Sequence, residues 1–260
     1  MKLSTPRLRI DHVLGEALEF IVRNAPMVFG LGVLLVGLPE FLFDYATLTS
    51  PTPPDDGNAA SSIIIEAFRA SLFHGGVAYL FWQELAGRRV AWSELMTPGL
   101  PVLVPLLATG VLMNLIIETG FYALAIIGVT AGTPLLYLAG SVLYPFVGLA
   151  VVVAVVERPG VFAALGRAFR IARGARLKLL SLFALYILFA FGADWLAEGV
   201  GLGTYYNSER PFGLVPALLT CAAASTLSDV YLAAMAAAAY FEIRRLREAA
   251  PPDDPAAVFD

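Results

Sequence analysis

Four ionisable side chains stand inside apolar runs, where charge is costly: Glu66, Arg69 and His74 in the run 63–82, and Asp229 midway along the run that begins at Leu214. A charged group at bilayer depth pairs with another group, faces a water-filled cavity, or belongs to a proton or ion path. Glu66 and Arg69 are separated by one helical turn, the spacing of an internal ion pair, and His74 lies deeper in the same run. Cys221, Ser225, Asp229, Ala233 and Ala237 recur every four residues. This narrow strip of small residues lets helices approach closely and points Asp229 into a bundle. Two chemistries fit the set: hydrogen bonds and a salt bridge that fix packing, or a polar pocket that passes a proton or solute.

A second group is basic. Between Arg158 and Lys178 lie Arg167, Arg170, Arg173 and Arg176 as well, and no acid, in a chain of net charge −4. Pro159 can start a helix here and Gly174 can end it. Val161, Phe162, Leu165, Phe169 and Ala172 supply an apolar side. The four arginines spaced by three form a slanting stripe beside it. A helix of this kind buries its apolar face at the headgroup boundary and sets its basic side against lipid phosphate. Each such residue contributes about 1 kcal/mol near an anionic leaflet. Arg167, Arg170, Arg173, Arg176 and Lys178 are thus the expected headgroup-binding set; the plainer reading is that they only fix topology. Nucleic acid is not an expected partner, because the stripe is short and flush with the membrane.

The elements that hold these groups are helices. Apolar residues make up 58% of 260 and charged residues only 15%, a departure from soluble composition in both directions. A spanning helix takes roughly 20 mostly apolar residues. Six runs qualify, at about 27–43, 63–82, 102–117, 135–156, 179–196 and 214–243, with Pro145 as an expected kink. The fold class expected is all-α, a single six-span membrane domain over residues 1–250 and a disordered tail over 251–260. The apolar stretch 118–132 is too short to span alone, and a break is expected at Glu118–Gly120.

Amphipathic helices are expected on one face of the membrane. Ile10, Val13, Leu14, Ala17, Leu18 and Ile21 share a helical side, predicting a surface helix that Asn24 and Pro26 terminate. A short third helix is expected at Trp92, broken by Pro98 and Gly99. The strings "FIVRNAPMVFGLGVLL" and "RIARGARLKLLSLFAL", with "WSELMTPGLPVLVPLL" as a shorter version, suggest a unit repeated three times, an inner surface helix followed by a two-span hairpin. Trp92, Trp195, Tyr205 and Tyr206 suit interfacial anchoring.

Charge sets the orientation. All but Arg69 and Arg210 of the 17 Lys and Arg residues fall on one side if six spans alternate. Basic residues near span ends are kept cytoplasmic, which predicts both termini inside a bacterial inner membrane. Asp44, Asp55, Asp56 and Glu209 are then outside.

The string "VVVAVVERPGVFAALGRAFRIARGARLKLLSLFALYIL" resembles the membrane domain associated with bacterial glycerophosphoryl diester phosphodiesterases and its stand-alone relatives. The matching positions are Glu157, Gly160, Ala164, Leu165, Arg167, Arg173 and Gly174, and "AAAAYFEIRRLRE" resembles that family's end; Ala168 departs from its usual Ser. The resemblance implies a multi-span membrane protein and no esterase activity, since that belongs to a separate soluble barrel for which the chain has no room. No G-x-S-x-G, H-E-x-x-H or P-loop occurs, and "GVGLG" at 199–203 reads as an outer-loop turn. Two His and one Cys cannot form a His/Cys metal cluster, so no metal or cofactor is expected. The expected function is non-enzymatic, a lipid- or envelope-associated membrane protein or a partner subunit of another membrane protein. The alternative is a transporter or channel component using Asp229, Arg69, Glu66 and His74, and a third is an intramembrane lipid enzyme.

Overall fold

The computed structural model describes residues 8–50, 59–96, 104–112, 115, 144–207 and 213–248, and all regular structure among them is helical. Helix α1 (Ile10–Arg23) forms because Val13, Ala17, Phe20 and Ile21 recur on one side and are buried there. Asn24 caps its end, donating its side-chain amide to the Phe20 carbonyl at 3.0 Å. Pro26 does not end the helical course. It sits in the first turn of α2 (Ala25–Gly32), where its missing N–H is no loss. A π-helical turn, Val33–Gly37, joins α2 to α3 (Leu38–Thr49), whose first turn holds Pro39.

The chain continues through α4 (Ala59–Leu85), α5 (Trp92–Met96), a helical segment at 104–112, α6 (Tyr144–Val156), α7 (Val161–Ala172), α8 (Arg176–Asn207) and α9 (Leu214–Glu248). Among the described residues three helices are long and apolar enough to cross a membrane: Ala25–Thr49, Arg176–Ala197 and Leu214–Leu246. The run at 63–82 is inside the long helix α4 and is not one of these three. Pro145–Val156 is apolar but short. The expected break at Glu118–Gly120, the stretch 118–132, Pro98–Gly99 and the tail 251–260 lie outside the described residues.

Helix α9 is the axis of the bundle. From Leu232 to Ile243 every residue is buried, and α1, α4, α6, α8 and the π turn all pack against it. Its run of alanines keeps the neighbouring backbones close. Small side chains serve the same purpose elsewhere: a Cβ at Gly148 would meet Ala236 at 3.0 Å, and one at Gly32 would meet Thr226 at 2.9 Å.

Two expectations change. Residues 199–203 are the last turns of α8 and not a loop, because glycine weakens a helix without forbidding it and no proline intervenes. The apolar side of α1 is turned onto α9, and Leu18, placed by its spacing on that side, is 56% exposed while Phe20 takes its place in the core.

Candidate functional site

The basic groups meet at one end of the bundle, and side chains from distant parts of the chain lace that end together. Arg23 Nε reaches Glu84 at 2.8 Å, joining α1 to α4, and Asn24 donates to the same carboxylate. Lys178, at the start of α8, donates to the Leu8 carbonyl ahead of α1. Glu157, just past α6, accepts from Arg167 Nε at 3.0 Å and from the Tyr240 hydroxyl at 2.7 Å. Tyr240 has no solvent exposure. A carboxylate at a helix C-terminus opposes the helix dipole, and the guanidinium of Arg167 offsets this. Arg244 extends the chain of contacts to Tyr240 at 3.5 Å.

Helix α7 is positioned by its two ends. Arg158 (φ 50) and Gly160 (φ 86) turn the chain from α6 into α7, and Gly174 (φ 94) turns it out again. Such backbone angles suit glycine, so the predicted stop at Gly174 is where it was expected. The start differs: Gly160, not Pro159, is the residue before the first helical turn. The face against the protein is made of Ala164, Ala168, Ile171 and Ala172. Phe162, placed by the sequence on the apolar side, is turned away from the protein and 81% exposed, and Phe169 is 41% exposed with its ring stacked on Phe146 at 4.8 Å. The physical reason is close approach: alanines allow α7 to lie against α6, and the bulkier Phe162 is left outside.

The basic set therefore divides. Arg167 and Lys178 turn inward to Glu157 and Leu8, whereas Arg170, Arg173 and Arg176 are exposed, as are Arg158, Arg88 and Arg89. Leu177, between Arg176 and Lys178, is 81% exposed. The outward surface at this end thus combines arginines with large apolar side chains.

The polar interior gathers around the π turn. Arg69 NH1 donates to the Val36 carbonyl at 2.6 Å, satisfying an acceptor in a stretch where the helical ladder is out of step. Ser225 donates to Glu40 Oε1 at 2.7 Å, linking α9 to α3. Gly37 allows this approach, because a Cβ there would lie 2.6 Å from Thr226 Oγ1. Asp229, one turn beyond Ser225, is half-buried and makes a polar contact of its own. On α4 the His74 Nε2 atom is buried with no hydrogen-bond partner. The Glu66 side chain lies outside the described residues, and with it the expected Glu66–Arg69 pair.

Sequence reasoning passed over Glu40, Glu84, Tyr240 and Glu242. Glu40 carried a signal, an acid directly after Pro39 within an apolar run. Trp92, expected as an interfacial anchor, also lies over Gly30, within 2.8 Å of where a Cβ would stand. Trp195 is 69% exposed, and the side chains of Tyr205 and Tyr206 are outside the described residues. No family model, curated protein or solved structure matches this chain.

Proposed function

We propose that this chain is a non-enzymatic integral membrane protein that binds anionic lipid at its basic end, acting as a lipid- or envelope-associated partner subunit. One observation carries the reading: Phe162 and Leu177, each 81% exposed, stand among the exposed Arg158, Arg170, Arg173 and Arg176. Apolar side chains enter the acyl boundary while guanidinium groups pair with phosphate. In this reading the chain crosses a bacterial inner membrane six times with both termini cytoplasmic, because the basic residues belong to the leaflet that retains them. The likeness of Glu157–Leu180 to the membrane domain associated with glycerophosphoryl diester phosphodiesterases supports a role of the same kind, without the esterase.

The test uses the whole chain in nanodiscs. Native mass spectrometry should show anionic phospholipid retained by the parent, and Arg170→Gln, Arg173→Gln and Arg176→Gln together should lose most of it; equal retention overturns the reading. Gln preserves helix propensity, so the change is one of charge. A reporter fused after Glu248 should be cytoplasmic; an external one removes the six-span arrangement.

A second reading, a transporter or channel component, rests on the π turn with Arg69, Glu40 and Ser225 around it. Flux into proteoliposomes that Glu40→Gln or Asp229→Asn abolishes, with the fold kept, would favour it.

A further inference from the structure

His12 and Glu16 are one turn apart on α1, and both face Glu242 near the end of α9. His12 Nδ1 lies 3.7 Å from Glu16 Oε1 and 3.6 Å from Glu242 Oε2. One ligand atom from each of the three residues falls within 4.8 Å of the other two. Nδ1 is buried from solvent and has no hydrogen-bond partner. Glu242 is itself 6% exposed.

Both Nδ1–oxygen distances are too long for a hydrogen bond. They suit two ligands of one ion: at about 2.0–2.2 Å from a metal, with tetrahedral to trigonal angles, ligand atoms stand roughly 3.3–3.8 Å apart. Arg245 NH1 is 3.4 Å from Glu16 Oε1 and 3.4 Å from Glu242 Oε2. These contacts are long, and the Arg245 side chain is 41% exposed, so it can swing into water. Its position marks where positive charge is wanted between the two carboxylates.

We propose that His12, Glu16 and Glu242 form a site for a divalent ion of the Zn²⁺ class, which ties α1 to α9. The imidazole nitrogen selects such an ion over Mg²⁺ or Ca²⁺, which favour all-oxygen sets. Three protein ligands leave a fourth position for water. The proposal is independent of lipid binding at α7.

The experiment takes the full chain in detergent, stripped with a chelator and dialysed against Zn²⁺, with metal counted by elemental analysis. One Zn²⁺ per chain is expected. His12→Ala and Glu16→Gln should each weaken binding at least about tenfold, since even the loss of a supporting residue costs that much. Arg245→Gln removes the competing cation and should tighten it. Each variant is scored only if its helicity and elution match the parent. Should Glu242→Gln fail to fold, the half-exposed His12 and Glu16 still decide the matter. No uptake by the parent, uptake unchanged in both His12→Ala and Glu16→Gln, or weaker uptake in Arg245→Gln overturns the site.

Discussion

Helices α8 and α9 lie side by side, and they invert the rule that the more apolar helix is the more buried. The membrane-length part of α8 is the more apolar of the two, yet only 17% of its most apolar stretch is buried, against 50% for α9. Leu185, Leu188, Phe191, Trp195 and Leu196 of α8 face outward, whereas α9 offers alanines and is enclosed. In water this would be a poor arrangement. In lipid the acyl chains are as apolar as leucine, so association is decided by packing and polar contacts, and small residues win the interior. The contrast is itself an argument that hydrocarbon is the solvent here.

The largest predicted effect concerns the polar clamp at the buried end of α9. Glu157→Ala removes an acceptor shared by the Tyr240 hydroxyl and the half-buried Arg167 guanidinium. It should cost about 3 kcal/mol, read by unfolding in mixed micelles. A cost under about 1 kcal/mol would mean that helix packing alone holds α6 and α7 to α9.

Next in size is Ala237→Leu, in the enclosed part of α9. Overpacking there should cost about 1–3 kcal/mol. The mirror experiment, Leu188→Ala on α8, removes a side chain that is 72% exposed and should stay within about 0.5 kcal/mol. If the two substitutions cost the same, the difference between the helices is not one of enclosure.

The smallest effect is expected at the outer rim, where Arg9 and Asp11 pair at 2.6 Å in full exposure. The hydrogen bond from Arg9 holds the Asp11 carboxyl below its ordinary value. Its contribution is therefore present above the unfolded carboxyl's pKa and is lost as pH falls through the folded one. Being fully exposed, the pair should leave only a slight acid-side slope, which Asp11→Asn abolishes. A large loss of stability in that variant would place the rim among the supports of the fold.

The sequence made some of this legible and hid the rest for identifiable reasons. Runs of apolar residues reveal α8 and α9 as long helices, but apolar all round they carry no sign of which side meets protein. Helices α1 and α7 were legible as amphipathic because polar residues mark one side. What covers the other side was not legible, since protein and lipid look alike to a valine. For α1 the cover is α9, and for α7 it is partly α6. The arginine stripe was legible as a pattern and not as a partition, because Glu157 and Tyr240 meet across 83 positions of chain. Counting His and Cys alone could not bring His12 beside Glu16 and Glu242 for a similar reason: Glu242 stands far along the chain.

The π turn at Val33–Gly37 has a consequence for phase. One residue more than an α-helical turn requires has been wound into the middle of the helical course from Ala25 to Thr49. Each residue of an α-helix advances the azimuth by roughly 100°. Unwinding the extra residue would therefore spin α3 about its axis by about that angle relative to α2. Glu40, which now meets Ser225, would point toward a different neighbour. The extra residue thus fixes the angular register between the two halves of this helix, and a single deletion within 33–37 would reset it.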